Sequence, residues 1–236
     1  MVAAGVLGPL RLVQVEYPQD RLAEPLEQQG HTQADWRTDP ARSGAGGCPG
    51  DIDTHAYNLA DYVTGLAVDQ LCAELSPFVP GRCLDDNVMM MPRYQGGARG
   101  MLWASQVAPG HENGLKLRVY GSLSALEWVQ AEPNVPWHAP LGQPRRQRTC
   151  GGAGSGSAAQ CVTRIPAGHP ESYLEGFANL YTEAARAIRA VDAGLAVPPE
   201  EKFPTLDDGV KGMAFIEAAL QSSAAAGGVW LRPAFV

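Results

Sequence analysis

Lysine is scarce in this 236-residue sequence: Lys116, Lys202 and Lys211 stand against fifteen arginines. That imbalance reflects coding composition more than function. Positive charge is in the minority overall, with 18 Lys and Arg against 25 Asp and Glu and a formal net charge of −7. The basic patch that nucleic acid requires is missing, so no nucleic-acid partner is expected. Cysteine is thin, scattered and odd in number (Cys48, Cys72, Cys83, Cys150, Cys161). No C-x-x-C or Cys/His spacing suggests zinc, so no metal is expected and a reducing cytoplasm is the simplest setting. No apolar run is long enough to span a membrane, and Met1 to Leu12 lacks the charged start of a signal peptide. A strand followed by G-x-G-x-x-G and a helix is also missing. The glycine-dense Gly151 to Ala159, GGAGSGSAA, is followed by Pro166 and His169-Pro170 and reads as a flexible loop, not a dinucleotide site.

What is present is enough for one large domain, since 45% of the residues are hydrophobic. The chain is organised around Ser43 to Gly65, SGAGGCPGDIDTHAYNLADYVTG. A glycine-rich turn leads into an amphipathic helix whose first two turns carry Asp51 and His55. Residues four apart lie one above the other on a helix face, and Asn58 and Tyr62 extend that stripe. Ile52, Leu59, Val63 and Leu66 form a separate apolar stripe to seat the helix. A carboxylate beside an imidazole suits general acid–base chemistry, because His titrates nearest neutrality and the acid orients its ring. Asp51 as a simple helix N-cap is the structural alternative.

Leu10 to Tyr17 alternates and reads as a strand, and Met1 to Pro9 as the tail of a helix ended at Gly5 and Gly8. Pro18 to Asp39 is polar and irregular, ending in Trp36-Arg37, either a substrate-facing lip or a loop anchored by a buried Trp. Strand-like runs follow at Asp69–Phe78, Asp86–Tyr94, Ala98–Val107, Leu115–Tyr120 and Ala125–Val129, separated by Pro/Gly turns, as in consecutive antiparallel strands. Pro92 suggests an edge strand or a bulge. Asn134 to Arg148 is a weaker extended pair. Leu174, Phe177, Tyr181, Ala184, Ile188 and Val191 mark one face of a helix between Pro170 and Gly194. A Pro-rich link, VPPEEKFP, precedes a second helix that starts with a capping box at Thr205 to Asp208 and turns Val210, Met213, Ile216 and Leu220 inward. Val229 to Leu231 reads as a last short strand. His31, His111 and His138 have no partner at useful spacing and are expected at the surface.

Three stretches carry a resemblance. Trp36-Arg37-Thr38-Asp39-Pro40 with SGAGG and GDIDTHAYNLA, then LRVYGSLSALEW, then GHPESYLEGFANLY with FPTLDDGVKGMAFIE, resemble the C-terminal domain of the Gfo/Idh/MocA oxidoreductases. The resemblance spans nearly the whole chain. It implies an α+β fold, a large mainly antiparallel sheet with helices on one face, forming a single substrate-binding and oligomerisation domain over residues 1–236, with 1–8 the remnant of a preceding helix. By the same resemblance His55 is the proton-transfer residue and Asp51 orients it. Trp36, Arg37 and Asn58 line a sugar, cyclitol or polyol site, and His169 and Tyr173 come near it. Asp53 stands where many members have Gly. NAD or NADP is the cofactor of full-length members, held by a Rossmann domain that also supplies a Glu-Lys-Pro lysine. Neither element is found here, so the chain alone is expected to bind no cofactor and to depend on a separate or missing Rossmann domain. It is also expected to form homo-oligomers through its free sheet face. A non-catalytic binding or assembly module that keeps this sheet is the alternative.

Overall fold

The computed structural model describes residues 1–198, 203–225 and 228–234. Part of the Pro-rich link before the last helix lies outside the described residues. Among the described residues eight strands form one sheet: β1 (Leu10–Pro18), β2 (Val68–Ser76), β3 (Asn87–Tyr94), β4 (Arg99–Ser105), β5 (Lys116–Gly121), β6 (Ser124–Val129), β7 (Trp137–Pro140) and β8 (Arg146–Gln147). Their order is β2-β3-β4-β1-β5-β6-β7-β8. The sheet is mainly antiparallel, as expected, but β1 is inserted between β4 and β5 and runs parallel to β4. The run of hairpins read from the sequence is therefore split at its centre by the first strand.

Alternation along β1 turns Val13, Val15 and Tyr17 into the core and Leu12 outward. Among the described residues six α-helices accompany the sheet: α1 (Thr32–Arg37), α2 (Pro40–Ser43), α3 (Thr54–Thr64), α4 (Ser157–Val162), α5 (Tyr173–Asp192) and α6 (Leu206–Ala224). Helices α3 and α6 cover the core face, where Phe215 stacks on Tyr57 with ring centroids 4.3 Å apart. The seat of α3 is Ile52, Ala56, Tyr57 and Ala60, with Leu59, Val63 and Leu66 partly buried beside them. On α6 the buried residues are Phe215, Ile216, Ala218, Ala219 and Ser222, with Leu220 half-buried, while Val210 and Met213 are exposed, so the expected inward stripe holds at Ile216 and in part at Leu220 and is otherwise rotated. Ser222 Oγ accepts from Ala73 N–H at 2.9 Å and donates to the Val229 carbonyl at 2.6 Å, tying α6 to β2.

Other expectations need correction. Pro92 sits in β3, an interior strand between β2 and β4 and not an edge; the ladder to β4 keeps its register, while the one to β2 shifts between Val68 and Gln70, opposite Tyr94 and Arg93 beside Pro92. The ladder tolerates it because Gly100 lies opposite: a Cβ there would fall 2.5 Å from Pro92 Cγ. Residues 1–8 form turns, not a helix. They keep the hydrogen bonds of a helix C-terminus, Val6 N–H to Met1 O and Gly5 N–H to Val2 O, around a left-handed Gly5. Trp36 and Arg37 lie on α1, inside a stretch read as irregular, and Ser157 to Ala159 begins α4 instead of extending a loop. Val229 to Leu231 contributes a single bridge, Leu71 to Leu231. His138 is buried, not at the surface, with both ring nitrogens unpartnered. Burial, then Arg148 and Arg146, lower its pKa.

The apolar face of α5 is solvent-exposed, including Leu174, Phe177, Tyr181, Ile188 and Val191. So is the far face of the sheet, where Leu12, Met89, Met91 and Met101 are each about half exposed. A groove of about 900 Å³ runs there past Cys72, Met89, Met91, Met101 and Trp103.

Candidate active site

The glycine-rich turn is held by an acid distant in sequence. Asp85 accepts from Gly47 N–H at 3.2 Å and Cys48 N–H at 2.9 Å through its carboxylate, and from Cys48 N–H again at 3.1 Å through its carbonyl. Residue 47 must be glycine, because a Cβ would lie 2.2 Å from that carbonyl oxygen. Burial raises the Asp85 carboxyl to about 6 even against those backbone donors. From the turn the chain enters a π-helical turn, Pro49–Asp53, and then α3. The wider winding of a π turn displaces Asp51 from the α-helical stripe that includes His55.

Asp51 therefore has other company. Its carboxylate accepts from Arg21, from Arg37 Nε at 3.3 Å and from Gln106 Nε2 at 2.7 Å. Gln106 follows β4 directly and Arg21 follows β1, so both arrive from the C-terminal ends of the parallel strand pair. The Arg21 loop is itself tied down: Arg82, buried, donates to the Leu22 and Glu24 carbonyls and bridges Glu27 and Asp86, each at 3.1 Å. Arg37 also donates to Gln33, and its guanidinium lies 4.4 Å over the Trp36 ring.

His55 is exposed on α3, and its ring meets Tyr17 edge-on with centroids 6.3 Å apart. Among the described residues no hydrogen bond joins it to Asp51, so the expected orientation of His55 by Asp51 is corrected: the acid orders two arginines and a glutamine instead. Asn58 is half-buried one turn further on. His169 and Tyr173 are not drawn into this cluster. Both are exposed at the start of α5, His169 against the Pro166 carbonyl and Tyr173 against Phe177. Arg21, Gln106 and Asp85 were missed by sequence reasoning; no spacing signals them, because each meets the turn across 30 to 55 residues.

Asp53, on the opposite side of the π turn, is fully buried, and neither carboxylate oxygen has a partner. Burial first, then Asp85, push its pKa well above the ordinary carboxylate range. The same burial, with Asp53, raises the Cys48 thiol. Among the described residues no three His, Cys, Asp or Glu are grouped to hold a metal ion. The one glycine-dense loop singled out in the sequence does not form a dinucleotide cradle. The Gly151–Gly156 loop leads from the two-residue β8, antiparallel to β7, into the six-residue α4, which is not the strand–turn–helix cradle that a pyrophosphate needs.

Residues 1–127 match the GFO/IDH/MocA C-terminal domain family. The chain belongs to that family. An uncharacterized oxidoreductase of Bacillus subtilis, YfiI, is 28% identical over 98% of this chain and 60% of its own length. An oxidoreductase of Sinorhizobium meliloti superposes with a TM-score of 0.85 at 48% identity, over 98% of this chain and 59% of its own. An inositol dehydrogenase homologue of Azotobacter vinelandii, solved with NAD+, superposes with a TM-score of 0.91 at 34% identity, over 98% of this chain and 60% of its own. The chain thus spans about 60% of the length of these relatives. Among the described residues no helix is long and apolar enough to cross a membrane.

Proposed function

We propose that this chain is the polyol-binding and proton-transfer part of an NAD(P)-dependent oxidoreductase. The observation that carries the reading is the convergence of Arg21, Arg37 and Gln106 on Asp51, four residues before the exposed imidazole of His55 on the following helix. It is supported by the family, and by the A. vinelandii homologue having also been solved with NADH and myo-inositol. NAD or NADP would supply the hydride acceptor, held from outside these residues. This chain's own part is to bind and to move a proton. Asn58 offers a donor to substrate hydroxyls, and the Trp36 ring under Arg37 gives an apolar wall. Asp51 holds the guanidinium groups in place. The hydroxyl that becomes a carbonyl loses its proton to a His55 ring nitrogen, and the exposed ring passes it to water. The five cysteines are free, consistent with a cytoplasmic setting. We further assign the Met-rich sheet face to self-association between copies of the chain, since an open face of this kind is commonly closed by a symmetric dimer.

The test is a fusion of a family nucleotide-binding domain ahead of Met1. The fusion is expected to oxidise a polyol, and His55→Ala within it to lower kcat by roughly two to four orders of magnitude. A fusion whose turnover is indifferent to His55→Ala removes that residue from the mechanism.

A further inference from the structure

The charges around Asp51 do not balance. Two guanidinium groups, Arg21 and Arg37, meet one carboxylate. Arg37 is committed to the protein, held also by Gln33 and stacked on Trp36. Arg21 is paired with Asp51 alone among the described residues, and its side chain remains 40% exposed. The neighbouring acids are occupied elsewhere. Asp85 faces the Gly47 and Cys48 amides, and Asp86 faces Phe78, Val79 and Arg82. Asp20 accepts from Gly110 N–H and Asp39 caps α2 at Ala41. Asp53 is sealed on the far side of the turn, where burial favours its neutral form. Among the side chains that meet at Asp51, two guanidinium groups face one carboxylate, and the less committed of the two, Arg21, is a partly exposed planar fork. Burial and the adjacent Arg37 make the charge costly for Arg21, lowering its pKa, and the attraction of an incoming anion offsets that cost.

We infer that the substrate is an anionic polyol, a sugar or cyclitol bearing a carboxylate or phosphate group that docks on Arg21. This rests on the polyol reading of the site given above and narrows its substrate class. A guanidinium fork matches both oxyanions by paired, charge-assisted hydrogen bonds, which are stronger than the neutral bonds offered by hydroxyls alone. The anion on Arg21 would fix one end of the substrate and leave its hydroxyls to Asn58 and His55.

The test is an NMR titration of the purified chain at pH 7.5, following the ring resonances of His55, assigned with His55→Gln. The probes are D-gluconate, D-glucose 6-phosphate, D-glucitol and myo-inositol. At least one anionic probe is expected to bind about tenfold or more tightly than D-glucitol, and the carboxylate and phosphate arms say which anion the site prefers. The preference should shrink with added NaCl, vanish in Arg21→Gln and be largely kept in Arg21→Lys. Equal affinities in the native chain, or a preference that survives Arg21→Gln, overturn the inference. If D-glucitol and myo-inositol shift His55 without any advantage to the anions, the anionic substrate is refuted and the polyol site stands. If no probe shifts His55 at tens of millimolar, both are refuted.

Discussion

Replacing Asp53 by asparagine should stabilise this protein increasingly as pH rises. Asp53 is fully buried, both its oxygens lack partners, and its pKa is raised by burial and then by Asp85. An acid whose folded pKa lies above its unfolded value holds its proton longer in the native state. Stability is then highest at low pH and falls as pH climbs from the unfolded value toward the folded one, by ~1.4 kcal/mol per pH unit for one such group. Asp85 acts in the same direction: its rise from 3.8 to about 6 amounts to ~3 kcal/mol between pH 4 and 6. His138 works against them, because its pKa is lowered. Its neutral ring favours the fold, and that contribution is lost as pH falls below the ordinary histidine range. The native curve therefore mixes opposing signs, but the difference between native and Asp53→Asn isolates one group, since Asp85 and His138 are common to both. Urea melts followed by tryptophan fluorescence at pH 4.5, 5.5 and 6.5 give that difference directly. It should grow by ~1 kcal/mol or more over the series. A difference that stays constant across these pH values would show that Asp53 does not stay protonated in the fold, and the reasoning would fail.

Two further outcomes follow from packing. Gly100→Ala places a methyl 2.5 Å from Pro92 Cγ and 2.9 Å from Tyr94 Cε2, inside the sheet, and should destabilise by about 1–3 kcal/mol in thermal or urea melts; an unchanged melt would mean that the β3–β4 ladder is not as tight as described. Met101→Glu puts a charge on the open sheet face, where Met101 is 45% exposed, and should convert a light-scattering dimer or larger species to monomer without lowering Tm; a native chain that is monomeric at micromolar concentration would sink the self-association reading.

What could be read from the sequence was local. Alternation in Leu10 to Tyr17 and in the runs after Leu66 found β1 to β6 within a few residues, because each strand half-buries its side chains on one face. The capping box at Thr205 is likewise a contact three residues long. The insertion of β1 between β4 and β5 was illegible, since pairing partners lie about ninety residues apart and alternation is the same whichever neighbour a strand takes. The helix face of Leu174 to Val191 was found as a period and missed as an environment: periodicity reports that residues share a side, and nothing about what covers that side.

The same limit governs the site. The spacing of Asp51 and His55 located the element that presents them, yet it assumed regular α-helical winding through Pro49–Asp53, where the chain takes a π turn. Once that turn displaces the acid, its partners are chosen by what the strand ends deliver, and these are Arg21 and Gln106. Asp53 shows the converse. Two residues from Asp51, it lies on the other side of the turn, and spacing alone could not say that this side is dry. A carboxyl enclosed there without a partner must stay neutral or cost the fold several kcal/mol. The turn thus divides its two acids by burial and by neighbouring charge, a charged one facing arginines at the mouth and a neutral one sealed behind it. The charge presented to a substrate is set by that division more than by the number of acids in the motif.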